Sequence, residues 1–168
     1  MVADTAFKAP WGNTLIAITS LIGALLVGMV LMGLLMGPRN NLVWIGSMVV
    51  LPIAILVVTA CLGVWGYRIQ NQTLYVKRLG WQTAIALGQL ESAEQVPAAM
   101  KGSIRTWGNG GLFGFTGRFR NATLGPYQAY ATDLTRTVVL TFPDRKIVLS
   151  PEEPEQFVRT LSHPENLG

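Results

Sequence analysis

Residues 108–121 read GNGGLFGFTGRFRN, with five glycines, three phenylalanines and two arginines in fourteen positions. Glycine-rich runs beside basic residues are the raw material of phosphate-cradling loops, so the segment can be tested against them residue by residue. A Walker loop needs glycine, four residues, then Gly-Lys-Ser/Thr, because the lysine meets the outer phosphates and the hydroxyl holds magnesium. GNGGLFGFT contains no lysine. The dinucleotide pattern GxGxxG fails at Phe113, which stands where the third glycine belongs, and no βαβ pattern surrounds it. Gly111, Gly114 and Gly117 instead recur every third residue among Leu112, Phe113, Phe115 and Phe119. That spacing reads as a strand or wide bulge entering a sheet, with glycine where another backbone or a ring comes close. The competing reading is a contact surface for an anionic ligand or a partner. Its candidate residues are Lys77, Arg78, Arg105, Phe113, Phe115, Arg118 and Arg120, with Lys101 also flanking the segment.

Other chemistry is thin. The single histidine, His163, lies beyond the last periodic segment, and the single cysteine, Cys61, lies inside an apolar run where thiolate formation is unfavourable. Glu152, Glu153 and Glu155 cluster where a helix starts, a position that suits its dipole. Asp133 and Asp144 read as turn residues. No metal-ligand spacing or nucleophile elbow occurs, so the expectation is no enzyme, no metal and no cofactor. From Tyr67 onward eleven basic residues face eight acidic ones, a difference of +3. That excess is too small, without a recognition motif, to imply nucleic acid.

The elements that must carry these residues fall into two parts. Only 13% of the chain is charged, and between Lys8 and Arg68 the only charged residue is Arg39. Residues 14–36 carry no charge for 23 positions, about 34 Å as a helix at about 1.5 Å per residue. A hydrocarbon core is about 30 Å thick, so this run can span it, as can residues 42–66. Pro52 lies near the middle of the second run and predicts a kink there. The GPRNN between the runs is turn chemistry and predicts an antiparallel hairpin. A cleaved signal peptide fits poorly, because the first run is too long and a second span follows at once.

Positive charge at Lys8, Arg68, Lys77 and Arg78 outweighs Arg39 in the connecting loop. The expectation is therefore a multi-pass protein of a bacterial inner membrane, with both termini on the cytoplasmic side. Trp11, Trp44, Trp65 and Tyr67 sit where interfacial aromatic belts are expected. Ser20, Ala24 and Gly28 lie four apart on the first helix, a small-residue stripe suited to helix–helix packing. Packing on the chain's own second helix is the expected use; contact with another protein's helix is the alternative.

From Tyr67 the apolar pattern alternates. YRIQ and TLYVKRL flank the turn Asn71–Gln72, WQTAIAL and LESAEQV follow, and residues 127–132 have strand character. TRTVVLTF and RKIVLS flank Pro143-Asp144 as a hairpin. Ser150-Pro151-Glu152-Glu153 reads as a capping box, after which Phe157, Val158 and Leu161 share one helical face. The expected organisation is an arm (1–13), a helix hairpin (14–66), a water-facing domain (67–163) and a tail (164–168).

The combination of two apolar spans with TLYVKRLGWQTAIALGQLESAEQV, GNGGLFGFTGRF, GPYQAYATD, TVVLTF and IVLSPEEPEQFVRTL resembles the membrane-anchored bacterial PH-like (pleckstrin-homology) domain proteins. The resemblance implies a mainly-β PH-like barrel of about seven antiparallel strands with a C-terminal α-helix, carried on the transmembrane hairpin. It carries no agreed set of binding residues. The resulting expectation is a non-catalytic membrane protein whose cytoplasmic domain mediates protein–protein interaction, as an accessory or scaffold subunit. Binding of anionic lipid head groups at the membrane surface is the alternative. Expected partners are membrane lipids and another integral membrane protein or complex; a homo-oligomer is compatible with the sequence.

Overall fold

The computed structural model describes residues 5–38 and 40–162. Arg39 and His163, both weighed above, lie outside the described residues, as does the tail. Strand β1 (Thr5–Lys8) leads through a short connection into helix α1 (Asn13–Leu35). The antiparallel return is α2, Leu42–Leu62. Both helices are long and apolar enough to cross a membrane, with a mean hydropathy of 2.6 in each. Only 17% and 6% of their most apolar windows are buried within the chain, so the rest of the protein does not cover them.

Asn41 caps α2, its side chain accepting from the Val43 and Trp44 N–H groups at 3.0 and 3.2 Å. The irregularity expected at Pro52 takes the form of a π-helical turn over Gly46–Val50, just before it. Proline offers no N–H and its ring crowds the carbonyl one turn back, so a wider turn there relieves the ladder. The two helices lie close together at Gly33, where a β-carbon would stand 2.8 Å from Met48 Cβ. Trp44 ties them further, its indole N–H donating to Gly33 O at 3.2 Å.

The stripe of Ser20, Ala24 and Gly28 does not make this contact, which corrects the expectation that it packs on α2. All three are exposed, and nothing lies within 4 Å of the space a Gly28 side chain would fill. One glycine opposite the π turn is enough to bring the backbones together, and it sits on the other side of α1.

The water-facing part holds β2 (Gly66–Gln70), β3 (Thr73–Lys77), β4 (Gln82–Ala86) and β5 (Ser92–Gln95). Then follow β6 (Ile104–Gly110), β7 (Phe115–Asn121), β8 (Gly125–Ala131), β9 (Val138–Thr141) and β10 (Lys146–Leu149). Helix α3 (Pro154–Ser162) closes the described chain. These strands form a four-stranded sheet, β1-β2-β3-β4, and a six-stranded sheet, β5-β9-β10-β8-β7-β6. The expectation of a single barrel of seven antiparallel strands is therefore corrected to two sheets, the four-stranded one antiparallel and the six-stranded one mixed.

Two features explain the difference. The β9–β10 hairpin turns back so that β10, not β9, lies beside β8, and that pair is parallel. Alternating apolar residues announce strands but do not say which neighbour each one takes. The amino-terminal arm also supplies a strand: β1 pairs antiparallel with β2, Phe7 opposite Tyr67. So the four-stranded sheet is built from both sides of the helix hairpin.

Between the sheets lies one core, in which Tyr67, Ile69, Leu74 and Val76 meet Leu140, Ile147 and Leu149 under Phe157 of α3. Phe157 packs edge-on against Phe7 and Tyr67, with ring centroids 5.0 and 6.0 Å away. Tyr67 is thus a core residue rather than part of an aromatic belt. Its hydroxyl donates to Tyr130 O at 2.6 Å and accepts from Ser150 N–H at 3.1 Å. A second core covers the far face of the six-stranded sheet, where Leu15 of α1 is fully buried against Phe115, Phe119, Ala129 and Val148.

The predicted capping box does not form. Ser150 Oγ is occupied by the Thr132 and Asp133 N–H groups at 2.7 and 3.1 Å, and the helix begins four residues later at Pro154. Its first-turn bond runs from Phe157 N–H to Glu153 O.

Candidate functional site

The glycine-rich segment, read from its spacing as a strand or wide bulge, forms a β-hairpin: β6, a turn over 111–114, and β7. Gly108 and Gly117 stand opposite one another. A β-carbon at Gly108 would lie 2.3 Å from Thr116 O, and one at Gly117 would lie 2.3 Å from Trp107 O. Both also hold φ angles, 103° and 131°, that other residues rarely adopt. Glycine is needed there for backbone approach, with a bulge between Arg105 and Trp107 adding twist.

The turn of this hairpin is docked onto the helices. Thr19 Oγ1 donates to Gly111 O at 3.1 Å and accepts from Phe113 N–H at 3.2 Å. Phe113 lies half-buried with its ring edge-on to Trp11, 6.0 Å between centroids, and Phe115 is buried in the second core. Neither phenylalanine is presented to an outside partner in this arrangement.

Other contacts complete a base where the sheets meet the hairpin. Gly12 N–H, at the entry of α1, donates to Thr132 O at 3.0 Å, and Thr132 Oγ1 donates to Pro10 O at 2.8 Å. Burial pushes the Asp133 carboxyl up, but bonds from the Thr135 hydroxyl and N–H and from Arg136 outweigh it and hold its pKa below the usual range. At the exit of α2, Arg78 donates to Leu62 O and the Trp81 indole N–H donates to Cys61 O at 3.0 Å. A cation at a helix C-terminus meets the negative end of the dipole. The same guanidinium lies 4.6 Å from the Trp81 ring centroid and 5.2 Å from that of Tyr130, and its Nε donates to Thr83 Oγ1 at 3.3 Å. Burial lowers the Arg78 pKa, against which Tyr130 acts. Arg78 is therefore committed to holding α2. Lys77, its half-buried neighbour at the end of β3, accepts Trp65 N–H on its carbonyl at 2.9 Å.

Arg118 and Arg120 are placed quite differently. The first sheet and α3 cover the six-stranded sheet over β5, β9, β10 and β8, and no residue of β6 or β7 enters the core between the sheets. On that face β6 and β7 overhang. The register puts Trp107, Arg118 and Gln128 in one cross-strand row and Ile104, Arg120 and Pro126 in the next. Trp107 is 77% exposed and Ile104 75% exposed. Arg118 and Arg120 are exposed too, and neither has an ion pair among the described residues.

A cleft of about 500 Å³ lies here, lined by Arg118, Arg120, Arg145 and Lys146 with one carboxylate, Asp144. Arg145 lies 5.2 Å from the Phe142 ring centroid. Gln128, also in the lining, donates to Tyr130 Oη at 2.6 Å. Tyr130 thus stands between the base and the cleft, with Arg78 over its ring and Gln128 on its hydroxyl; burial raises its pKa, opposed by Arg78 and Arg145. Arg105 is exposed on β6, in register with Phe119, and its guanidinium folds beside Gly110.

The structure thus gathers Arg118 and Arg120 into one face, while Arg78, Phe113 and Phe115 serve the base. Sequence reasoning did not single out Trp107, Ile104, Arg145 and Lys146. The register of β6 on β7 and the parallel placement of β10 bring them in, and neither is written in local spacing. Among the described residues no group of three or more His, Cys, Asp and Glu side chains gathers in a way that could hold a metal ion.

A helix hairpin pinned at both ends to a two-sheet domain, with a bare basic and apolar face, has the form of an anchored binding module. The bacterial PH domain family matches residues 65–164, and the chain belongs to that family. Membership supports a domain that binds protein or lipid in general. No curated protein and no solved structure matches the chain.

Proposed function

We propose that this protein is a non-catalytic accessory subunit of a membrane complex, in which the helix hairpin crosses a bacterial inner membrane and the PH domain docks another protein on the cytoplasmic side. The observation that carries this reading is the overhanging face of β6 and β7, where two large apolar side chains stand exposed beside Arg118 and Arg120, which have no ion pair among the described residues. Exposed tryptophan beside arginine is the composition of interface hot spots.

Distance favours a protein over lipid head groups. The hairpin turn and the exit of α2 meet at Gly63, whose β-carbon position lies 2.9 Å from Phe113 O. From Phe115, beside that base, Arg118 and Arg120 are three and five residues along β7, about 10 and 17 Å at about 3.4 Å per residue. The polar zone of one leaflet is only about 5–7 Å deep. With β7 running along the membrane normal, this reading puts most of the cleft beyond the lipid phosphates around its own anchor.

Gentle solubilisation of the tagged full chain is expected to bring down a companion membrane protein in fixed ratio. A chain that always runs alone as a monomer would overturn the proposal. The lipid alternative has its own signature: replacing Arg118 and Arg120 by glutamate would then cut the anionic lipid retained by the purified chain several-fold.

A further inference from the structure

The overhanging face says something about the chemistry of the partner. We infer that β6 and the cleft beside it receive an extended acidic segment of a partner protein, added as an outer strand with its carboxylates turned onto Arg118 and Arg120. The inference rests on the reading of this protein as a protein-binding module and specifies what that module recognises.

Three observations converge on it. First, β6 is the last strand of its sheet and runs for seven residues, so one row of its backbone N–H and C=O groups has no strand partner. Such an edge is a template for an incoming strand. The bulge between Arg105 and Trp107 twists it, which disfavours indiscriminate pairing and leaves recognition to side chains.

Second, the face alternates in a way that an extended ligand can read. Trp107 stands beside Arg118, and Ile104 beside Arg120. An added strand would lie two strand spacings from β7, about 10 Å at about 4.8 Å each. An arginine and a glutamate reaching toward one another span that gap. The aliphatic stems of the ligand's glutamates would then rest on Trp107 and Ile104.

Third, the charge is one-sided. The lining carries four cations and one carboxylate, and Arg118 and Arg120 have no ion pair among the described residues. Another cleft of similar size, about 470 Å³ at the start of α3, is lined by Glu153, Glu155 and Arg159 among others, and Arg159 already lies 4.0 Å from Glu155. It offers no comparable unbalanced charge.

The test uses the full chain in nanodiscs of neutral phosphatidylcholine and a fluorescent peptide of alternating glutamate and valine. Anisotropy should show binding at least about tenfold tighter than for the matching lysine–valine peptide. Arg118→Glu with Arg120→Glu should weaken it by about tenfold or more, and raising salt from about 50 to about 500 mM should weaken it similarly. Backbone N-methylation of the peptide along one edge should abolish binding, as strand addition requires. Equal binding of the two peptides, or unchanged binding by the charge-reversed chain, would overturn the inference. Displacement by about 1 mM inorganic phosphate alone would also overturn it, reassigning the cleft to a small anion. Copurification separates the two proposals. A companion that stays bound to the charge-reversed chain removes this inference and leaves the accessory role standing. Peptide binding without any companion does the reverse.

Discussion

Two pairings of arginine with tryptophan, Arg78 with Trp81 and Arg118 with Trp107, show how differently the same residue types can be used. At the base, Arg78 donates to the last turn of α2 and lies over two aromatic rings, while the Trp81 indole donates to Cys61 O. On the overhang, Arg118 and Trp107 sit opposite one another on neighbouring strands, and the tryptophan is 77% exposed. The first pair is consumed by the fold. The second is left over from it. What separates them is not composition, nor even exposure of the arginine alone, but whether donors and rings have already found partners. A basic or aromatic residue becomes a candidate for binding only when the fold leaves it unspent, and that accounting needs coordinates.

If the base and the core above it form a rigid joint, removing the fully buried Tyr67 hydroxyl, which bonds two backbone groups, should show the largest effect. Tyr67→Phe leaves Tyr130 O and Ser150 N–H without their buried partner, a loss of about 3 kcal/mol. The wild-type advantage should also shrink in alkali. Burial pushes the Tyr67 pKa up to about 12, above the unfolded value near 10. Above about pH 10 the unfolded chain gives up this proton while the folded chain keeps it, so stability falls between about pH 10 and 12. The full window amounts to roughly 3 kcal/mol. Thermal unfolding of both proteins across that range checks it; Tyr127 and Tyr130 titrate in both, so the difference isolates Tyr67. A constant gap would show that Tyr67 is not the group being discharged.

The joint can be loosened more gently at Arg78. Arg78→Gln removes a cation from the C-terminus of α2 and its contact with the Trp81 face, about 1–2 kcal/mol together. Hydrogen exchange should quicken around residues 62–65 and leave the β9–β10 hairpin protected. Uniform acceleration would mean that the base is part of one cooperative unit with the sheets.

The sequence makes some of this plain and hides the rest for physical reasons. Charge-free runs mark α1 and α2, because membrane-length apolar segments need no tertiary context to be recognised. The Asn71–Gln72 turn is equally local, and both residues do hold positive φ, 48° and 52°. Of the three regularly spaced glycines, Gly117 does mark a close backbone approach, while Gly111 faces the Ile18 side chain and Gly114 has ordinary room. By contrast, β1 is four residues long and its partner strand lies beyond the entire hairpin, so nothing nearby announces it. SPEE looked like a helix cap only because Thr132 and Asp133, which bind Ser150 Oγ, are distant in sequence. Likewise the overhang exists because the four-stranded sheet stops short of β6 and β7. No property of GNGGLFGFTGRFRN says that its turn is docked while its arginines stay bare.

The smallest expected effect on stability is the sharpest test of the comparison. Trp107→Ser with Arg118→Gln removes a large ring and a charge, yet both side chains are exposed and Arg118 has no ion pair among the described residues. Unfolding should therefore shift by no more than about 0.5 kcal/mol, the range of ordinary surface substitutions. Copurification of a companion should nevertheless be lost, because exposed tryptophan and arginine contribute to binding out of proportion to their contribution to folding. A large loss of stability would mean that this pair, like Arg78 and Trp81, belongs to the fold. Unchanged stability with unchanged copurification would leave the face bare but idle, and the partner would have to be sought along the exposed stripe of Ser20, Ala24 and Gly28 instead.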